Sequence, residues 1–202
     1  LDKLKEIQVD VAFIPEKLYS KKHSTFIDEI SLSNKLEGIS RPSFFKGVAT
    51  IVVKLFNIIQ PTHTYFGKKD AQQLLIIKRL INNLNYNIQI VECDTIREQS
   101  GLALSSRNQY LSNQDKKNAI QIYAALKYGV QYIKQYVSIS SLKEDIIKKI
   151  EQIPNAQIDY VAITNPESLE DLNGSTNQSM LISVAVIISK VRLIDNIFYQ
   201  AN

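Results

Sequence analysis

A short β-prone run, Thr64-Tyr65-Phe66, ends in Gly67 and passes at once into a helical pattern, after which residues 87–93 read as another strand. A strand, a helix and a second strand in direct succession leave few folds open, because the helix makes a crossover and a crossover makes the two strands parallel. The helix, expected over residues 69–84, carries Leu74, Ile77, Ile81 and Leu84 as its buried face. A preceding helix is predicted from Ser43, with Val48, Ile51, Val52, Leu55 and Ile59 as its apolar stripe until Pro61 forbids continuation. Upstream, residues 9–14 predict a central parallel strand stopped by Pro15, and residues 25–30 a short further strand. Residues 34–38 read as a turn or one helical turn closed by Gly38. This alternation predicts an α/β first half with a parallel sheet, ending near Asp94.

The second half has a different rhythm. Ser112, with Asp115 three residues on, offers a helix N-cap, and Ala119, Ile122, Tyr123, Leu126, Val130 and Ile133 line one face of a long helix. A second helix is expected over residues 141–153, and residues 159–163, 180–188 and 191–196 suggest a small antiparallel sheet. The division expected is therefore residues 1–94 and residues 95–202, the latter a smaller α+β domain.

Charge and composition narrow the partners. Lys and Arg exceed Asp and Glu by 24 to 20, and the excess is spread along the chain, which argues against a nucleic-acid arm. The longest apolar run, residues 180–188, is too short for a bilayer, so no membrane partner is expected. A single cysteine, Cys93, allows no internal disulfide, fits a reducing cytoplasm, and lies in a strand context that favours burial. No secretory leader is expected from these opening residues. Residues 1–7 look instead like the last turns of an amphipathic helix already under way, so an N-terminal part of the natural protein is expected to be absent. His23 and His63 lie far apart and one cysteine offers no ligand pair, so no metal site is expected.

Two stretches carry the chemistry. In Gly101-Leu102-Ala103-Leu104-Ser105-Ser106-Arg107-Asn108, two hydroxyls precede a guanidinium, which supplies short-range donors and a fixed positive fork for phosphate. In Tyr65-Phe66-Gly67-Lys68-Lys69-Asp70, a strand gives way to a helix N-terminus beside two lysines, where open α/β sheets place anionic ligands. Each stretch alone also suits a solvated turn.

These two stretches, with Arg41-Pro42-Ser43-Phe44-Phe45-Lys46-Gly47, Gln72-Gln73-Leu74 and Leu193-Ile194-Asp195-Asn196, closely resemble the pantoate–β-alanine ligase family over nearly the whole chain. The resemblance implies a Rossmann-like nucleotidyltransferase domain, N-terminally incomplete here, and a C-terminal lid. It implies ATP-dependent condensation of pantoate with β-alanine through a pantoyl adenylate, with release of pyrophosphate and AMP, in a cytoplasmic homodimer. ATP would meet Gly67, Lys68, Lys69 and Asp70 on the first turn, Leu104, Ser105, Ser106 and Arg107 on the second loop, and the backbone of Ile96 at the adenine. Lys69, Ser105, Ser106 and Arg107 would act on the phosphates in catalysis, Gln73 would bind pantoate, and Mg²⁺ would travel with the nucleotide.

The chain departs from the family pattern at several points. A Gly-rich turn with two histidines, including the proposed general acid, and a second pantoate-binding glutamine would precede Leu1. A polypeptide that began at Leu1 would be expected to adenylate slowly and to expose a sheet edge. Lys68 stands where the family has an acidic residue, and Ser43-Phe44 where it has Gly-His. Two other readings stay open at this point: a non-catalytic nucleotide-binding or dimerisation module, and another adenylating enzyme of the nucleotidyltransferase fold.

Overall fold

The computed structural model describes residues 1–201. Three helices, α1 (Asp2–Glu6), α2 (Glu37–Ser40) and α3 (Phe44–Ile59), precede the first strand, β1 (His63–Gly67). A 3₁₀ turn (Lys68–Asp70) leads into helix α4 (Ala71–Asn83), and strand β2 (Gln89–Cys93) returns parallel to β1, with His63 opposite Gln89 and Gly67 opposite Cys93. The crossover read from the sequence is present, and the chain is α/β.

The apolar stripe of α3 is not the one its spacing suggested. The buried positions are Phe45, Ala49, Thr50, Val53 and Phe56, whereas Ile59 is 52% exposed. The helix is apolar almost all round, so periodicity alone could not choose the face. Thr50 is accommodated in this core because its hydroxyl donates to the Lys46 carbonyl at 2.7 Å and accepts the Ile27 N–H at 3.0 Å. Against this face α4 packs Ile76, Ile77, Leu80 and Ile81, while Leu84, expected inside, is exposed.

Neither strand expected before α3 forms. Residues 9–14 contain a bend at Asp10 and have no strand beside them among the described residues, and Val11 is 81% exposed. β propensity without a ladder partner does not make a strand. Residues 25–30 form no strand either; just beyond them the Glu29 carboxylate accepts the N–H groups of Ser31, Leu32 and Ser33, which turns the chain. Cys93 is exposed, contrary to expectation, because β2 has a neighbour on one side only.

The second half follows the expected order. Helix α5 (Asn113–Gln131) starts at Ser112, whose hydroxyl accepts the Asp115 N–H at 3.1 Å, and α6 (Ile139–Glu151) starts in a reciprocal Ser138–Ser141 cap. Strands β3 (Ala156–Thr164), β4 (Met180–Ile188) and β5 (Val191–Tyr199) form an antiparallel sheet with β4 in the middle. That central place explains the unbroken apolar run of β4, which is buried almost throughout. Ile122 and Leu126 of α5 and Leu142, Ile146 and Ile150 of α6 cover the sheet. The other core, centred on α3 and α4, also takes in Leu169 and Leu181.

A partly buried ion cluster ties α2 to the sheet. Arg192 on β5 donates to both oxygens of Glu37, at 2.7 and 2.9 Å, and to Asp159 on β3, while the Tyr160 hydroxyl donates to Glu37 at 2.9 Å. Burial works against the Arg192 charge, but its hydrogen bonds to Glu37 and Asp159 outweigh that and hold its pKa above the ordinary value. Burial, with the nearby Glu37 charge, pushes the Tyr160 hydroxyl up and keeps it a donor. Among the described residues no helix is long and apolar enough to cross a membrane.

Candidate active site

The lysine-bearing turn and the serine-arginine loop are held by two adjacent residues of one strand. Asn196 on β5 donates from its amide to the carbonyls of Lys68 and Lys69, at 3.1 and 2.8 Å, and so fixes the turn between β1 and α4. Its neighbour Asp195 accepts two hydrogen bonds from the Arg97 guanidinium, at 2.7 and 2.8 Å. Arg97 also donates to the Gly101 carbonyl at 3.2 Å and stacks 3.3 Å above the centre of the Tyr123 ring. Arg97 thereby staples the base of the second loop, which begins at Gly101, to β5 and α5. Burial opposes its charge and the paired Asp195 carboxylate restores it, so its pKa sits above the ordinary value.

The second loop is shaped from within. Ser105 caps the 3₁₀ turn of Ser106–Tyr110 by accepting the Arg107 N–H at 3.3 Å. Asn108, buried beneath, donates to the Ala103 carbonyl at 3.0 Å, and its Oδ1 has no partner among the described residues. Leu104 donates its N–H to the Ile96 carbonyl at 2.9 Å, which brings those two exposed residues together.

Lys69, Asp70, Gln73 and Arg107 line one cavity of about 130 Å³, together with Arg41, Phe44 and Asn196. Ser105 lines a smaller cavity that shares Lys69, Arg107 and Asp195 with the first. Gly67, Ile96, Leu104 and Ser106 belong to the same turn and loop but line neither cavity. Lys68 turns elsewhere: its ammonium donates to Asp94 at 2.7 Å, and its side chain lines a separate hollow with Lys78, Glu92 and Phe198. The positive charge expected beside the phosphates from Lys68 is therefore engaged with Asp94.

The two adjacent glutamines separate by environment. Gln72 is buried and fully used, donating to the carbonyls of Leu32 and Lys35 at 2.7 Å and accepting the Glu37 N–H at 3.0 Å. Gln73, one residue on, lines the cavity and makes no side-chain hydrogen bond among the described residues.

Arg41, Arg97, Asp195 and Asn196 had no role assigned from the sequence. The signal for the last two was present: Asp and Asn in the middle of the apolar run of residues 191–199 are strand-averse residues in a strand. Arg41 stacks 3.5 Å above the centre of the Phe44 ring. Its pKa is lowered, first by burial and then by the Arg107 charge, so two cations share the cavity.

A parallel βαβ unit with a polar cavity at the carboxyl end of β1, lined on the other side by an antiparallel α+β unit, defines an α/β protein with its pocket where open sheets take their ligands. The chain belongs to the pantoate–β-alanine ligase family, whose model matches residues 1–198. The pantothenate synthetase of Thermosipho africanus is 41% identical over 198 residues, covering 97% of this chain and 71% of the relative. That of Thermodesulfovibrio yellowstonii is 41% identical over 202 residues, covering 98% and 72%. The crystal structure of pantothenate synthetase from Thermus thermophilus superposes with a TM-score of 0.91 at 37% identity, covering 97% of this chain and 72% of that one. A pantoate–β-alanine ligase from Francisella tularensis, complexed with a β-γ ATP compound and β-alanine, gives a TM-score of 0.72 at 34% identity, covering 98% and 67%.

Proposed function

We propose that this protein condenses pantoate with β-alanine to pantothenate, with ATP as the driving substrate, as a step toward coenzyme A. The pantoate carboxylate attacks the α-phosphorus of ATP, pyrophosphate leaves, and the amine of β-alanine then attacks the acyl carbon and displaces AMP. The observation that carries this reading is the convergence of Lys69, Arg107 and Gln73 on one cavity from two distant parts of the chain.

The first step asks for charge neutralisation and alignment more than for proton transfer. Lys69 and Arg107 neutralise the phosphates, and Ser105 and Ser106 donate from hydroxyl or backbone. Gly67, Lys68, Lys69 and Asp70 form the nucleotide turn, Leu104 continues the second loop, and the Ile96 backbone faces the adenine. Hydrogen bonds to charged groups contribute about 1.5–3 kcal/mol each, so a few that tighten in the transition state supply several powers of ten in rate. Gln73 adds no charge and can both donate to and accept from pantoate.

Mg²⁺ fits here through the nucleotide. Of the carboxylates in the lining, Glu37 and Asp195 are engaged by arginines and Asp70 alone is left, so phosphate oxygens and water would complete an octahedral shell. When bound, the ion would neutralise the leaving pyrophosphate. We assign residues 1–94 to nucleotide binding and residues 95–202 to a lid, in a cytoplasmic homodimer.

The test is the pattern of dependence, not the rate. Incubation with ATP should release AMP only when pantoate is present and yield pantothenate only when β-alanine is added. AMP release that ignores pantoate, or acyl transfer to tRNA, would contradict the reading.

A further inference from the structure

A carboxylate stands among the groups assigned to phosphate. Asp195 lines the first cavity and the smaller one, each time together with Lys69 and Arg107. Its side chain is 9% exposed, and both of its oxygens accept from the Arg97 guanidinium, at 2.7 and 2.8 Å. Arg97 itself lines neither cavity; its face rests on the Tyr123 ring. The same guanidinium steadies a small hairpin at the base of the second loop. Arg97 pairs with Ala103 in antiparallel register, and the N–H groups of Leu104 and Glu98 donate to the carbonyls of Ile96 and Leu102, each at 2.9 Å. Gly101 makes the turn at φ 95°, and its carbonyl accepts from Arg97 at 3.2 Å.

An unpaired carboxylate in that lining would repel a polyphosphate, and a largely buried charge is poorly screened by salt. A guanidinium fork that bonds both oxygens offsets the charge and fixes the carboxylate plane. Removing one member of such a pair leaves the other uncompensated, so the loss of Arg97 would be felt in the cavity through Asp195. The charge balance of the lining therefore depends on a residue that does not itself face the ligand.

We infer that Arg97 is a positioning residue for the nucleotide phosphates: through Asp195 it masks a negative charge in the wall beside Lys69 and Arg107, and through the Gly101 carbonyl it holds the loop that carries Arg107. This rests on the ligase reading above, which puts a triphosphate there, and it adds a residue outside the cavity to the nucleotide machinery. An Arg97 that only held the fold together would matter equally to every ligand of the cavity. An Arg97 that masks charge matters most to the ligand with the most negative charge.

The experiment measures by calorimetry the affinities of the protein for ATP and for a non-reactive sulfamoyl analogue of pantoyl adenylate, which keeps the adenine and has no triphosphate. Arg97→Met should weaken ATP binding by about tenfold or more and analogue binding by less than about threefold. Adding Asp195→Asn to Arg97→Met should return the ATP affinity to within about threefold of the unaltered protein, because the unmasked charge is then gone. Asp195→Asn alone, which keeps one acceptor for Arg97, should bind ATP about threefold or more tightly than the unaltered protein, and the gain should shrink as salt is raised. This variant has no unpaired carboxylate in the interior and decides the matter if Arg97→Met does not fold. An unchanged or weaker ATP affinity in Asp195→Asn, a double variant no better than Arg97→Met, or equal losses for both ligands would overturn the inference and leave the ligase reading standing. If the unaltered protein does not bind ATP, the ligase reading fails and the inference with it.

Discussion

Lys68 and Lys69 are neighbours in sequence with different surroundings. Lys68 is paired with Asp94 at 2.7 Å, in an exposed setting where such pairs contribute little, whereas Lys69 lines the cavity with Arg107. Lys69→Ala should therefore weaken ATP binding by about tenfold or more, and Lys68→Ala by less than about twofold, as read by calorimetry. A second prediction concerns backbone conformation. Ser43 sits at φ 64°, a left-handed conformation that costs an L-residue about 1–2 kcal/mol, and its side chain makes no capping bond. Ser43→Gly should raise stability by about 0.5–1 kcal/mol, after the greater unfolded-state freedom of glycine is subtracted, seen as a higher denaturant midpoint. The resemblance implies Gln73 as the pantoate glutamine; its neighbour Gln72 has its amide engaged by the Leu32 and Lys35 carbonyls and the Glu37 N–H. Periodicity could not have made that distinction, because both lie in the first turn of α4.

At the scale of elements, β5 organises the site. Asn196 holds the turn before α4, Asp195 holds the base of the second loop through Arg97, and Arg192 on the same strand grips α2 through Glu37. Asn196→Ala should cost about 1–2 kcal/mol of stability and speed amide exchange in the Lys68–Asp70 turn more than in β4. Unchanged exchange there would show that the turn holds itself. The Arg192 cluster also sets a pH dependence. Burial raises the Asp159 pKa, but the Arg192 and Ser40 hydrogen bonds outweigh it, leaving the folded value below the ordinary 3.8. The unfolded state then binds the proton more readily, so this contribution is complete above about pH 4 to 5 and is lost as pH falls through the folded value. Asp159→Asn should flatten the acid limb of the stability curve, measured by denaturant titration from pH 6 to pH 3. Most helices and the three antiparallel strands were legible because caps and runs mark them locally. The strands expected at residues 9–14 and 25–30 were not, since a strand needs a neighbour.

For the whole molecule, the point of the fold is that a parallel unit and an antiparallel unit bring together residues almost forty positions apart, Lys69 and Arg107, beside a shared cavity. The alternation of elements foretold the first unit and the apolar run of β4 the second. What no local pattern carried was the packing of β5 against both loops, because that contact spans more than a hundred residues, from Asn196 back to Lys69. The reading of this chain as an ATP-dependent ligase stands on a triphosphate lying between those two segments. Its most direct test is a crystal structure of the protein with a non-hydrolysable ATP analogue. The account predicts phosphate oxygens within hydrogen-bond distance of both the Lys69 ammonium and the Arg107 guanidinium, with Lys68 still on Asp94. A nucleotide bound elsewhere, with the cavity between Lys69 and Arg107 holding only solvent, would contradict it.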